Sequence, residues 1–369
     1  MHTKNPSQTR RGLLTALAAL AVQPNAIGTV AGNFPALPIA SVVPGYRLRF
    51  PLDHGAHPAF RTEWWYVTGW LSTNAGDALG FHITFFRTRP RIAQDNPSAF
   101  TPRQLLIAHA ALTDPRRGRL QHDQRIAREG FTLAGAETGN THAWIDDWSL
   151  EDRGTKLQAV IPARDFGFEF AFLRTQDALL NGDAGFSRKG LRPDAASYYY
   201  SVPHLTVSGT MSREFKREAV TGSAWLDHEW SSSYLEPEAV GWDWIGINAD
   251  DGGALIAFRM RDRDGNMRWA GATYRGGGMT RAYDARDIRF LTRRLWRSPR
   301  TGTNYPIEME VKIGAIEIEL VPLIDDQELD ARLSTGTVYW EGAVRATRAG
   351  KAFGKGYLEL TGYWRPLQL

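Results

Sequence analysis

The sequence contains no cysteine. A chain without it has no disulfide, no thiolate nucleophile and no cysteine-ligated metal, although that count alone does not assign a redox compartment. Charge of one sign is scarce as well: 44 Lys and Arg against 40 Asp and Glu leave a formal +4, with the arginines scattered among the acids. A nucleic acid partner calls for a basic stripe, so none is expected. The densest basic run, Arg293, Arg294, Arg297 and Arg300, reads as a solvated loop. Gly-X-Ser-X-Gly and His-Glu-X-X-His are missing, and no Gly-rich phosphate loop sits between a strand and a helix. Gly276-Gly277-Gly278 reads as an ordinary loop. No apolar run reaches the ~20 residues of a membrane-spanning helix, so no stable membrane span is expected. Helical periodicity over a long window is also absent; the best helix candidate is short, at residues 325–333.

What is present in excess is aromatic: 13 Trp, 12 Tyr and 17 Phe in 369 residues. A buried indole needs a partner for its N–H or a ligand against its ring, so the excess points to an aromatic-lined pocket. The length suits two domains better than one core. At the N-terminus, Arg10-Arg11-Gly12-Leu13-Leu14 opens a modest apolar stretch over residues 13–22. Paired arginines before such a stretch form the pattern of a twin-arginine signal peptide, here residues 1–26, and predict a periplasmic or secreted product.

Beyond Pro44, short apolar or alternating segments separated by Asn, Asp, Gly and Ser turns give the chain an all-β cadence. Residues 65–71 and 79–87 form one predicted hairpin, and 107–113, 143–150, 157–161, 166–173 and 204–210 continue the series. A second hairpin, 242–247 and 254–259, repeats the Trp-X-aromatic opening, the Asn/Asp/Gly turn and the closing Phe…Arg. Ala224-Trp225-Leu226-Asp227 is echoed by Gly356-Tyr357-Leu358-Glu359. This duplication predicts an all-β chain of two lipocalin-like antiparallel β-barrel domains in tandem, with few short helices. The domains are placed at residues 44–234 and 238–369, with a linker near Ser231-Ser232-Ser233 and Pro237.

Two segments carry candidate chemistry. In Glu63-Trp64-Trp65-Tyr66, period-two alternation puts Glu63 with Trp65 on one face and Trp64 with Tyr66 on the other. In Trp225-Leu226-Asp227-His228-Glu229-Trp230, it sets Leu226, His228 and Trp230 against Trp225, Asp227 and Glu229. Carboxylates on an apolar strand must be paired, protonated or solvated, and Arg87 or Arg259 offers an ion pair. His82 and His109 lie in apolar strands, as core histidines or as site groups. His82, His109, His228 and Glu229 have enough ligand atoms for a metal but no metal-site spacing, so neither metal nor cofactor is expected.

A longer series of motifs carries a resemblance. Glu63-Trp64-Trp65-Tyr66-Val67-Thr68-Gly69, Thr84-Phe85-Phe86-Arg87, Ala108-His109-Ala110-Ala111, Asp227-His228-Glu229-Trp230-Ser231-Ser232 and Gly241-Trp242-Asp243-Trp244 occur in order. Trp340-Glu341-Gly342-Ala343 and Gly356-Tyr357-Leu358-Glu359-Leu360-Thr361-Gly362-Tyr363 complete it. Together they resemble the AttH-like branch of the carotenoid 1,2-hydratase superfamily, from about Pro44 to the C-terminus. The resemblance implies two lipocalin-like barrels of the calycin type and cofactor-independent chemistry on isoprenoid or polyketide skeletons, either hydration of double bonds or folding of polyenes for cycloaddition. It also implies a part in lipid metabolism.

Residues and resemblance leave three activities open, each with an apolar lipid or isoprenoid-like ligand as the partner. The first is acid-catalysed addition of water to an alkene. Asp227 leads as proton donor, Glu63 and Glu229 follow, and His228 or His109 holds the water. The ligand would meet Trp64, Trp65, Tyr66, Trp225, Trp230, Trp242, Trp244 and Tyr357, with His82, Arg87 and Glu341 beside it. The second is a non-catalytic lipid carrier of lipocalin type, and the third a lipid-ester hydrolase. Nothing in the sequence sets the oligomeric state.

Overall fold

The computed structural model describes residues 39–91, 96, 98 and 100–367. The signal peptide read at residues 1–26 lies outside them. No α-helix occurs among the described residues; three 3-10 turns and 23 strands make up the regular structure. The first half supplies β1 (Thr62–Thr73), β2 (Ala78–Thr88), β3 (Leu105–Thr113), β4 (Gln121–Arg128), β5 (Ala134–Ala136), β6 (His142–Ile145) and β7 (Trp148–Asp152). It continues with β8 (Lys156–Pro162), β9 (Phe166–Leu173), β10 (Leu179–Leu180), β11 (Phe186–Arg188), β12 (Ala196–Arg213) and β13 (Lys216–Ser233). The second half supplies β14 (Gly241–Ala249), β15 (Ala254–Arg261), β16 (Met267–Gly276), β17 (Met279–Tyr283) and β18 (Ile288–Arg297). Then follow β19 (Asn304–Ile313), β20 (Ile316–Pro322), β21 (Glu328–Ala331), β22 (Thr337–Arg348) and β23 (Lys351–Leu360).

The first 13 strands form one antiparallel sheet of order β4-β3-β2-β1-β13-β12-β9-β8-β7-β6-β5, with β10 and β11 also paired to β12, and the remaining ten form another of order β17-β16-β15-β14-β23-β22-β20-β19-β18, with β21 also paired to β22. Each is a lipocalin-like barrel. The ends of the first sheet come back together, where Arg125 donates to the Ile145 carbonyl at 3.2 Å. In the second, Arg259 on β15 reaches the Phe290 carbonyl on β18 at 3.2 Å. Ends brought together by side chains in this way are less free to pair with other chains, although among the described residues β17 and β18 keep an unpaired outer edge.

Both barrels are filled. Trp65, Phe81, Phe85, Phe168, Phe170 and Trp230 pack inside the first, and Ile245, Leu255, Tyr305, Met309 and Trp340 inside the second. Each such buried side chain stabilises the fold by roughly 1.5–3 kcal/mol. The outward faces of the central strands are apolar too, because they bury against each other. Tyr66, Trp70, Tyr199, Trp225, Trp244, Phe258 and Tyr357 form a third core between the barrels. The connection from β13 to β14 is packed as well: Tyr234, Glu236, Ala239 and Val240 are buried.

Three local expectations change. Residues 325–333 contain strand β21 instead of a helix, because Glu328 to Ala331 pair with Trp340 to Thr337 of β22. Residues 143–150 split into β6 and β7 at Asp146, whose φ of 53° makes the turn. The basic run sits largely on the edge strand β18, not in a loop, and is matched by acids: Arg294 bonds Glu308 and Asp325, and Arg300 bonds Asp326.

The duplication is visible in register. On the first sheet Glu63 faces Arg87, and on the second Asp243 faces Arg259. Laying these ion pairs over one another sets Trp64 on Trp244, Glu229 on Glu359, Tyr199 on Glu341, His228 on Leu358 and Asp227 on Tyr357. The sequence echo that set Asp227 against Glu359 is two residues out of this register.

Candidate functional site

Alternation along β1 and β13 sorts the polar residues into two groups on opposite faces of one sheet. On the inner face of the first barrel, Glu63 accepts from His228 Nε2 at 2.8 Å, His57 Nδ1 at 2.7 Å and Arg87 Nε at 2.8 Å. Trp65 stacks on His228 at 4.7 Å, and Trp230 on His57 at 3.8 Å. Tyr200 reaches His228 Nδ1 at 3.1 Å, and Asp53 lies 3.3 Å from His57 Nε2. Burial alone would raise the Glu63 carboxyl, but Arg87 and the two histidines hold it well below its ordinary value of 4.5. His57, Glu63 and His228 are the described residues best placed to hold a metal, with one ligand atom from each within 4.8 Å of the others. Those same atoms already satisfy one another, and Arg87 supplies the counter-charge.

On the outer face, Asp227 and Glu229 point away from His228, toward the second barrel. There a cleft of about 360 Å³ runs between the barrels, at the small end of the ~300–1,000 Å³ typical of ligand pockets. Its aromatic lining includes Trp64, Tyr66, Phe86, Tyr199, Tyr234, Trp242, Trp244 and Tyr339. Trp64 meets Tyr234 edge-on at 5.0 Å, Tyr234 meets Trp242 at 5.4 Å, and Tyr66 meets Trp244 at 5.3 Å. A larger groove of about 580 Å³ elsewhere on the junction is lined by Arg117, Arg119, Arg164, Arg213 and Arg300, which suits an apolar ligand poorly.

Four carboxylates reach the aromatic cleft: Asp227 and Glu229 from β13, Glu341 from β22 and Glu359 from β23. Asp227 accepts from Ser201 Oγ at 2.6 Å, Trp225 Nε1 at 2.7 Å and the Tyr199 hydroxyl at 2.6 Å. Burial outweighs those donors and pushes its carboxyl up to about 7. Glu229 bonds Ser197 and faces the buried Lys189 ammonium at 2.8 Å, the expected arginine partners Arg87 and Arg259 being taken by Glu63 and Asp243. Lys189 Nζ also lies 3.9 Å from the centre of the Phe258 ring. Glu341 and Glu359 face each other on neighbouring strands. Burial and the charge of its neighbour hold Glu341 well above the usual carboxylate range. Burial carries Glu359 to about 7 against one donor, Trp242 Nε1 at 3.1 Å. Two carboxylates this close cannot both ionise in an apolar wall, so at neutral pH the pair keeps a proton.

At one end of the cleft His109 Nε2 meets Ser334 Oγ at 2.8 Å, and its Nδ1 meets the Tyr339 hydroxyl at 2.8 Å. Burial depresses this imidazole to about 3. Of the residues singled out in the sequence, Asp227, Glu229, His109, Trp64, Tyr66, Trp242, Trp244 and Glu341 line the cleft, and Glu63 and Arg87 border it. His228, Trp65 and Trp230 lie inside the first barrel, so His228 cannot serve a ligand held by Asp227. Trp225 packs beneath Asp227, and His82 and Tyr357 lie behind the Glu341 wall. Sequence reasoning missed Tyr199, Lys189, Tyr234, Tyr339 and Glu359. The run Tyr198-Tyr199-Tyr200 was a signal for the first, since alternation sends its middle ring to the cleft. No helix among the described residues is long and apolar enough to cross a membrane.

Comparison with solved structures places this geometry. An AttH-type protein of Nitrosomonas europaea shares 52% identity over 88% of this chain and all of its own, with a TM-score of 0.83. Kievitone hydratase of Nectria haematococca shares the fold at 15% identity, covering 89% of this chain and 98% of its own, with a TM-score of 0.66. CghA does so at 12% identity, covering 90% and 95%, with a TM-score of 0.52. No curated protein matches. The AttH-like family pattern runs from residue 41 to residue 363, across both barrels, and the chain belongs to that family.

Proposed function

We propose that this protein is an exported, cofactor-independent hydratase that adds water to a carbon–carbon double bond of an apolar, lipid or isoprenoid-like ligand held between the barrels. The observation that carries this reading is the set of four buried carboxylates among aromatic rings, answered by one buried ammonium, Lys189. A passive carrier of apolar cargo gains nothing from such a set, whereas protonation of an alkene needs an acid that is neutral at working pH. Glu341 is better suited to be that acid than Asp227, the leading candidate from sequence. Both Asp227 oxygens are taken by close donors, while Glu341 Oε1 makes no hydrogen bond of good geometry, Tyr66 and Tyr339 only approaching the carboxyl. The faces of Trp244 and Tyr66 would stabilise the carbocation that forms. Kievitone hydratase among the structural neighbours supports the reading through architecture alone, and the twin-arginine pattern read at residues 10–14 supports export.

Ester hydrolysis is less well supported. His109 bonds Ser334, but its other nitrogen is oriented by a tyrosine instead of a carboxylate, and an imidazole depressed to about 3 is a weak base. The test is incubation of the full chain in D2O with geranylgeraniol and with linoleic acid, followed by mass spectrometry. The expected product carries one added water and carbon-bound deuterium, and Glu341→Gln abolishes both while circular dichroism is unchanged. Undiminished turnover by Glu341→Gln would overturn the assignment of the acid.

A further inference from the structure

Buried polar groups almost always find hydrogen-bond partners, so a group of them that does not calls for an explanation. Behind the Glu341 wall, both ring nitrogens of the fully buried His82 lack a hydrogen-bond partner among the described residues, and the Tyr66 and Tyr357 hydroxyls and Glu341 Oε1 make no hydrogen bond of good geometry, Tyr66 only approaching Glu341 and Tyr357 only approaching Thr113. They belong to one neighbourhood. His82 Nε2 lies 3.6 Å from Glu341 Oε2, too long for a hydrogen bond, and the His82 ring centre lies 6.4 Å from that of Tyr66 and 6.3 Å from that of Tyr357. The backbone approaches them closely at Gly80. A Cβ at Gly80 would come within 3.1 Å of the Tyr357 hydroxyl and 2.6 Å of the Ala343 Cβ.

We propose that Tyr66, His82, Glu341 and Tyr357 form a binding site for ordered water, and that this water is the nucleophile of the hydration reaction. The donors and acceptors fit. A neutral imidazole offers one N–H and one lone pair, a neutral carboxylic acid offers the same, and each phenol can donate and accept. A water needs two to four such partners. The site adjoins the cleft through Glu341 and Tyr66, both of which line it. In the reaction the Glu341 proton passes to one alkene carbon as the double bond opens. The oxygen of the held water, oriented by His82, bonds the neighbouring carbon as its surplus proton passes to the Glu341 carboxylate. His82 is thus a positioning residue for water. Its role as nucleophile holder rests on the hydratase reading; the water site itself does not.

The test combines a crystal structure of the full chain, at a resolution that shows ordered solvent, with His82→Phe. Water density bonded to His82 and Glu341 is expected. His82→Phe should lower Tm, because it breaks a satisfied network, and lower hydration of geranylgeraniol at least tenfold with the KM unchanged. In D2O, carbon-bound deuterium should still enter the recovered alkene in this variant, since Glu341 still protonates it. A dry pocket, or a Tm that rises as relief of an unpartnered imidazole requires, would overturn the water site. Unchanged hydration by His82→Phe would overturn its role as nucleophile holder. Failure of the hydratase reading has a different signature, no water added to geranylgeraniol or linoleic acid by the unaltered chain, and leaves the water density untouched.

Discussion

The two faces of β13 carry the same kinds of residue in adjacent positions and treat them in opposite ways. Inside the barrel, Glu63 and His228 belong to a network in which Arg87, His57, Tyr200 and Asp53 satisfy nearly every charge. One residue to either side of His228, Asp227 and Glu229 face a cleft where carboxylates outnumber cations. The difference teaches that the supply of partners, not residue type, separates a structural cluster from a reactive one. The inner face is expected to hold the fold and the outer face to carry chemistry.

The sharpest way to break that comparison is to remove one member from each face. Arg87→Ala leaves the buried Glu63 charge without its main counter-ion, and losses of this kind run to about 3–5 kcal/mol. Urea denaturation of Arg87→Ala should show a loss of that order, whereas Glu341→Gln should be neutral or stabilising at pH 8. An equal loss in both would erase the distinction. The pH response sharpens it further. Glu359 keeps its proton to about 7 when folded but releases it near 4.5 when unfolded, so its effect is to lower stability as pH rises through that window. Glu359→Gln should remove this fall and add on the order of 1–3 kcal/mol at pH 8, read as Tm against pH. For Glu63 the sign reverses. Its depressed carboxyl contributes fully above about 4.5 and is lost as pH falls below that, toward its folded value. The smallest effect belongs to Trp244→Phe, which deletes the bond from Trp244 Nε1 to the Tyr199 hydroxyl at 2.9 Å. A stability loss of about 0.5–1.5 kcal/mol is expected, with weakened ligand binding followed by fluorescence of the remaining cleft tryptophans.

Much of the architecture was legible because it rests on local signals. The two hairpins and the assignment of Glu63 and Trp65 to one face follow from period-two patterns and turns. The failures have a different origin. β21 reads as a short helix in isolation, and pairing with β22 overrides that preference. The cleft is the larger case. Alternation separates Asp227 from His228, but no local pattern says which face meets a second barrel or that Glu341 and Glu359 will stand opposite Asp227 and Glu229. Lys189 is the extreme, an isolated lysine between Arg188 and Gly190 that becomes the counter-ion of Glu229 through folding alone.

The register that lays one barrel over the other also bears on why the two are joined in one chain. A symmetric dimer of a single barrel would have to place the same side chain at both equivalent positions of its interface. Covalent fusion lifts that obligation. Here the position that carries Asp227 on one side carries Tyr357 on the other, and Tyr199 answers Glu341. A cleft with two unlike ends can orient a ligand head from tail and direct a proton to one carbon of a double bond, a regiochemical choice unavailable to a twofold-symmetric site.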